Sequence, residues 1–166
     1  MIRLLVLDVD GCLTDGKIIY SSDGVETKAF NVKDGLAIAS WIKLGHEVAI
    51  ITGRESEIVK RRAKELGITH LHQGIGDKAS LLKQIAKERG FAHSELAAIG
   101  DDLNDYEMLQ LVGRSFTPAD GAAVIQKSVD TVLQKRGGDG AVREMIEQIL
   151  EENGETEQFL SLWIKE

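Results

Sequence analysis

One cysteine and one proline occur in 166 residues, aromatic side chains make up only 5%, and cationic residues are outnumbered by anionic ones. Each scarcity excludes something. The lone Cys12 cannot form an internal disulfide, so the fold must rest on its core, and the chain suits a reducing compartment, the cytoplasm. Lys and Arg together number 20 against 27 Asp and Glu, a formal charge of −7, which argues against a nucleic-acid partner needing a basic footprint. No apolar run approaches the ~20 residues of a membrane span, so no membrane partner is expected. The N-terminus enters the run Leu4–Leu7 at once, with no small-residue cleavage site of the kind that follows a signal peptide. What is present is ordinary for a globular protein: 43% hydrophobic and 28% charged residues, in a length that fits one domain.

Short apolar runs at Leu4–Leu7, Val48–Ile51 and Leu96–Ile99, with weaker ones at His70–His72 and Val129–Leu133, predict strands buried on both faces of a parallel sheet. Between them the spacing turns helical. Val142, Met145, Ile146, Ile149 and Leu150 form one stripe, Ile58, Val59, Ala63 and Leu66 a second, and Leu81, Leu82, Ile85 and Ala86 a third. Strand–helix alternation of this kind predicts an α/β fold, a Rossmann-like open parallel sheet with helices on both faces. With proline nearly absent, helix ends fall to glycine, and Gly45, Gly67 and Gly90 each follow a helical stretch. Lys17–Tyr20 and Val25–Phe30 around Ser-Asp-Gly predict a β-hairpin insert over about residues 17–30, where a helix would otherwise follow the first strand. Residues 1–150 are expected to form the core. Residues 151–166 are expected to form a tail, acidic at first and then carrying Phe159, Leu160, Leu162, Trp163 and Ile164.

Ligands of open α/β sheets bind beyond the carboxyl ends of the strands. The expected strand ends carry Asp8-Val9-Asp10-Gly11, Thr52-Gly53-Arg54 and Gly100-Asp101-Asp102-Leu103-Asn104-Asp105, while Lys78 opens a helix. Several carboxylates converging on one rim repel one another, and a hard divalent cation with oxygen ligands, Mg²⁺, relieves that repulsion. Asp8 can then attack phosphorus as a nucleophile, giving an aspartyl-phosphate. Asp10 can protonate the leaving oxygen and later take a proton from water. Thr52 can hydrogen-bond a phosphoryl oxygen, and Lys78 can offset the charge on Asp8 and the phosphoryl group. Asp101 is the expected carboxylate ligand, with Asp102 and Asp105 behind it. Structural alternatives remain open for several residues. Asp8 and Asp10 could cap loops, Thr52 could cap a helix from Glu55, Lys78 could be a solvated lysine at a helix start, and Asp102 and Asp105 could cap the following helix.

The four motifs, DVDG with its TDG continuation, Thr52, Lys78 and GDDLND, resemble in order those of the haloacid dehalogenase superfamily of phosphohydrolases. More narrowly, FNVKDG, TGR, RRAKELGITHLHQG and KRGGDGAVRE resemble the 3-deoxy-D-manno-octulosonate (KDO) 8-phosphate phosphatase family over nearly the whole chain. That resemblance implies a haloacid dehalogenase fold with only a hairpin insert and no separate cap domain. It also implies an Mg²⁺-dependent hydrolase of lipopolysaccharide sugar biosynthesis, assembled as a homotetramer in which the tail docks on a neighbour; packing of the tail as a short helix on the chain's own fold is the alternative. It implies Asp8, the Asp10 carbonyl and Asp101 as the metal ligands. Substrate contacts are implied for Asp10, Asn31, Val32, Lys33, Asp34, Gly35, Arg54, Arg62, Lys78 and Asn104. A keto-acid sugar phosphate carries a carboxylate besides its phosphate, which gives a second cation such as Arg54 or Arg62 a physical reason to be near. Phosphatases of nine-carbon, sialic-type sugar phosphates are the alternative within this resemblance, and Arg54 favours the eight-carbon ester. A receiver-like signalling domain shares the acidic site, but it needs a long-lived phospho-aspartate and no base beside it, so Asp10 argues against it.

Overall fold

A computed structural model describes residues 1–165. The first strand, β1 (Leu4–Leu7), is fully buried, and its residues alternate between two cores. Leu5 and Leu7 face one cluster while Leu4 and Val6 face the other, as the two-residue period of a strand requires. After a wide turn comes a minimal hairpin, β2 (Ile19–Tyr20) paired antiparallel with β3 (Glu26–Thr27), shorter than the expected arms. Then follow α1 (Val32–Lys43), β4 (Glu47–Ile51), α2 (Glu57–Leu66), β5 (His70–His72), α3 (Lys78–Arg89) and β6 (Leu96–Ile99). The chain ends with α4 (Tyr106–Leu109), β7 (Arg114–Thr117), α5 (Ala123–Gln126), β8 (Thr131–Val132), α6 (Ala141–Asn153) and α7 (Thr156–Ser161). Strand β7 is absent from the sequence-based expectation.

The six-stranded sheet runs β5-β4-β1-β6-β7-β8, and every pairing in it is parallel. The chain builds outward from β1 through β4 to β5, then returns to β6 on the other side. Strand β1 therefore sits at the reversal of strand order, where open α/β sheets hold their ligands. Apolar side chains of α1, α2 and α6 cover one face, and those of α3, α4 and α5 cover the other. This is the α/β architecture expected. No helix among the described residues is long and apolar enough to cross a membrane.

The tail begins later than expected, because α6 runs to Asn153 and carries the boundary at residue 150 inside it. Phe159 on α7 is buried in the core cluster with Met145 and Ile149. Trp163 folds back so that its indole N–H donates to Ser40 Oγ at 2.9 Å, while Leu160 and Ile164 remain exposed. The tail's apolar residues thus divide between the chain's own core and an open face.

Candidate active site

Three adjacent strands deliver the acidic and hydroxyl groups. Leu7 of β1 pairs with Ile50 of β4 and Ile99 of β6, so the residues just beyond those ends, Asp8, Thr52 and Asp101, meet at one level. With Asp10, Gly16, Gly53, Arg54, Asp102 and Asn104 they line an open cleft of about 260 Å³. Beneath it, Lys78 donates to Asp8 Oδ1 at 2.9 Å and to Asp105 Oδ1 at 2.6 Å. The Lys78 side chain is only 1% exposed, which rules out a solvated lysine. Asp105 is fully buried, and its other oxygen accepts the Asp101 N–H at 2.9 Å. Both Asp105 oxygens are thus committed, one to fixing Lys78 and one to fixing the Asp101 turn. Asp102 accepts the Leu103 N–H at 2.8 Å and caps the short turn there. Thr52 is not the cap of α2; Ser56 takes that place, accepting the Ile58 N–H at 3.2 Å.

Glycines let the acidic loops approach each other. Gly11 has φ +95°, and a Cβ there would overlap the Asp101 carboxylate. A Cβ on Gly137 would likewise overlap the Gly11 carbonyl, and the Gly138 N–H donates to the Cys12 carbonyl at 3.0 Å. The RGGDG segment therefore supports the catalytic loop from behind, a role its sequence position does not reveal.

Charge is only partly balanced here. Burial and the nearby Asp105 push Asp8 up to about 6, against the opposing pull of Lys78. Burial, followed by repulsion from Asp8 and Asp105, pushes Asp101 up to about 8. Burial alone would lower Lys78, but its two carboxylate partners outweigh that and leave it raised. Cys12 is fully buried, and burial followed by the Asp8 and Asp101 carboxylates pushes its thiol up, which leaves it an inert packing residue. The buried Asp8 and the half-buried Asp101, with oxygens within 4.8 Å of each other and a lysine that pairs only with the first of them, fit a hard divalent cation. Asp8 and Asp101, with the Asp10 carbonyl, are the groups that would hold it. Such a cation keeps both carboxylates ionised and offsets phosphoryl charge.

The cleft does not gather every expected residue. Asn31 caps α1 by accepting the Lys33 N–H at 2.8 Å, Val32 and Lys33 face solvent, and Asp34 is buried against the start of α6. Gly35 lies directly under the Arg62 guanidinium, which pairs with Glu65 at 3.5 Å. Asn31, Asp34, Gly35 and Arg62 line a separate small cavity of about 10 Å³. The sequence reading also missed Lys28. Its ammonium lies 2.6 Å from Asp10 Oδ1 and 3.2 Å from Glu26 Oε1. The available signal was the Glu26–Lys28 spacing, since alternate residues of an extended segment share one side.

A parallel sheet with an aspartate at the end of its central strand, a second aspartate two residues on, and a lysine and a third aspartate closing the group defines a haloacid dehalogenase-like hydrolase. The family model of that description matches residues 71–146. Relatives narrow the class. The chain is 41% identical over 157 residues to the 3-deoxy-D-manno-octulosonate 8-phosphate phosphatase of Escherichia coli K12, covering 95% of this chain and 84% of that one. The crystal structure of the same phosphatase from Moraxella catarrhalis, in complex with magnesium, phosphate and KDO, superposes with a TM-score of 0.95 at 44% identity. That match covers 98% of this chain and 94% of the other. The cobalt-bound phosphatase of Haemophilus influenzae gives a TM-score of 0.90 at 36% identity, over 99% of this chain and 94% of that one. The chain belongs to the 3-deoxy-D-manno-octulosonate 8-phosphate phosphatase family.

Proposed function

We propose that the protein is an Mg²⁺-dependent phosphomonoesterase that hydrolyses 3-deoxy-D-manno-octulosonate 8-phosphate to the free sugar acid and phosphate. The observation that carries this reading is the buried Asp8–Lys78 pair beside the half-buried Asp101 at the floor of an open polar cleft. Asp8 attacks phosphorus while Asp10 gives a proton to the departing sugar oxygen; Asp10 then takes a proton from the water that releases phosphate from Asp8. Thr52 hydrogen-bonds a phosphoryl oxygen, and Lys78 offsets the charge shared by Asp8 and the transferring group. Arg54, 45% exposed at the cleft mouth, and Asn104 receive the sugar acid. Asn31–Gly35 and Arg62 lie outside this cleft, so their contact with substrate would cross a subunit boundary. We infer a cytoplasmic homotetramer in which the exposed side of the tail, Leu160 and Ile164, docks on a neighbour and encloses a site that has no cap domain.

The test is phosphate release from eight- and nine-carbon keto-sugar phosphates, with and without Mg²⁺, for the wild type and Asp8→Asn. Hydrolysis of the eight-carbon ester is expected to require Mg²⁺ and to vanish in Asp8→Asn, which lacks the nucleophilic charge. Retained turnover in Asp8→Asn would refute the covalent route, and preference for the nine-carbon ester would refute the substrate assignment.

A further inference from the structure

Asp10 must serve as acid and then as base, yet it projects from a loop rather than a regular element, and Gly11 beside it is the most permissive kind of neighbour. Something has to fix its carboxyl group. Among the described residues, the only hydrogen bond to that carboxyl group comes from Lys28 Nζ, at 2.6 Å to Oδ1. The Lys28 side chain is 1% exposed although it lies just after β3, on an insert most of whose residues are open to solvent. A buried ammonium is expensive unless it is paired. Here both of its partners, Asp10 and Glu26, belong to one chain of contacts leading to the cleft. Glu26 Oε1 also lies 3.4 Å from Arg54 Nη2, and Arg54 Nη2 donates to the Tyr20 hydroxyl at 3.1 Å. The hairpin is thus fastened to the site through charged groups, and Lys28 is the one that touches Asp10.

We propose that Lys28 is a positioning residue for the acid and base Asp10, holding Oδ1 so that Oδ2 faces the cleft and carries the proton. The inference rests on the phosphatase reading above and adds to it a group that the four catalytic motifs do not contain. Oδ2 lies on the Arg54 side, 4.0 Å from Arg54 Nε, and Arg54 lines the cleft mouth. In phosphoryl transfer the bond from Asp8 to phosphorus forms as the sugar–oxygen bond to phosphorus breaks, and the Oδ2 proton goes to the sugar oxygen. In hydrolysis Oδ2 takes a proton from water as the water oxygen bonds to phosphorus and Asp8 leaves. Both steps need one carboxyl oxygen kept in the cleft, and an Asp10 free to rotate would lose that orientation.

The experiment compares two esters across Lys28→Met, Lys28→Arg and Asp10→Asn. The sugar phosphate has an alkoxide leaving group that needs a proton; 2,4-dinitrophenyl phosphate has one that does not. The ratio kcat/KM reports steps through phosphoryl transfer to Asp8, so it isolates the acid role. Lys28→Met is expected to lower kcat/KM for the sugar phosphate by about 10–100-fold, part of the range for general acid catalysis, and by less than about 3-fold for the dinitrophenyl ester. Lys28→Arg is expected to recover most of the loss. Adding Lys28→Met to Asp10→Asn is expected to cost nothing further, because the group being positioned is gone. Equal losses on the two esters, or full additivity with Asp10→Asn, would overturn the proposal, and so would an unchanged sugar phosphate rate. If Lys28→Met misfolds, Lys28→Gln, one atom shorter and with a neutral donor in place of the charge, carries the same comparison. A wild type that releases phosphate from neither ester would overturn the phosphatase reading itself, an outcome distinct from all of these.

Discussion

Asp34 is the buried carboxylate the catalytic scheme does not use, and it makes the protein's stability depend on pH in a predictable direction. It lies 2% exposed on α1, with Oδ1 accepting the Arg143 N–H at 2.9 Å and Oδ2 without a partner. Burial pushes it up to about 6, although the nearby backbone N–H groups of Arg143 and Gly140 and the charge of Arg62 pull the other way. A carboxyl group that is a weaker acid in the folded state holds its proton more tightly there. Between its ordinary value of 3.8 and about 6 the folded chain binds more protons than the unfolded one, so stability falls as pH rises through that window. Full ionisation costs about 3 kcal/mol, at ~1.36 kcal/mol per pH unit of difference. By pH 5 about half of that cost is already present; the remaining ~1.4 kcal/mol appears between pH 5 and pH 8.

Asp34→Asn removes the titration while its carbonyl still accepts the Arg143 N–H. Its new amide donor sits where Oδ2 was, beside a cavity of about 10 Å³, and that effect is the same at every pH. Comparing the two proteins by thermal unfolding in EDTA at pH 5 and pH 8 cancels every other titrating group, including Asp8 and Asp101. For a chain of this size 1 kcal/mol corresponds to about 2–4 °C, so the Tm of Asp34→Asn minus that of wild type should rise by about 3–6 °C from pH 5 to pH 8. A difference that stays constant, or shrinks as pH rises, would refute the reasoning.

Two further outcomes follow from the cleft and the tail. Arg54→Ala should raise KM for a keto-acid sugar phosphate by about tenfold or more, the scale of one lost charge-assisted hydrogen bond, and change KM for p-nitrophenyl phosphate far less. Equal changes on both esters, measured by steady-state kinetics, would assign Arg54 to the phosphate. Deleting residues 162–166 keeps Phe159 in the core but removes Trp163 and Ile164, and should lower kcat/KM on the sugar phosphate and weaken the proposed tetramer in sedimentation. Unchanged kinetics and assembly would show that the tail serves only its own subunit. Cutting after Leu150 would be a poorer test, because it strips the buried Phe159 from the core.

Strands β1, β4 and β6 were legible because both faces are buried, so their runs are apolar throughout, and that alone located Asp8, Thr52 and Asp101. Strand β7 was not, since Arg-Ser-Phe-Thr holds one large apolar residue, Phe116. Its buried polar neighbour is satisfied from elsewhere in the chain: Asp130 Oδ2 accepts both the Ser115 N–H at 2.8 Å and its hydroxyl at 2.9 Å. A strand with a single large apolar residue, whose Ser115 finds its partner fifteen residues away, has no local apolar signature. Lys28 escaped notice for the same reason, because its carboxylate partner Asp10 lies 18 positions earlier and is met only when the hairpin folds over the first loop. The residues 31–35 pose the reverse problem. Their resemblance to a substrate-binding segment is clear in the sequence, but in one chain they cap and bury the start of α1 instead.

The local rules of folding hold through the sheet and fail at its carboxyl edge, where a functional site is expected to violate them. Leu4–Leu7 ends directly in a buried aspartate, and a second aspartate from β6 is brought against it by a glycine that admits no side chain. Lys78 cannot neutralise both, because Asp105 shares its ammonium. The remaining repulsion is visible in the raised values of Asp8 and Asp101, about 6 and about 8. By the same sign argument as for Asp34, without a cation these two groups destabilise the fold progressively as pH rises from about 4 to about 8. Replacing either aspartate with an apolar residue would relieve the strain and remove the nucleophile or its partner. The electrostatic stress at the strand ends is therefore inseparable from the capacity to hold a divalent cation beside a phosphate ester, and the buried Lys78–Asp105 pair limits that stress without abolishing it.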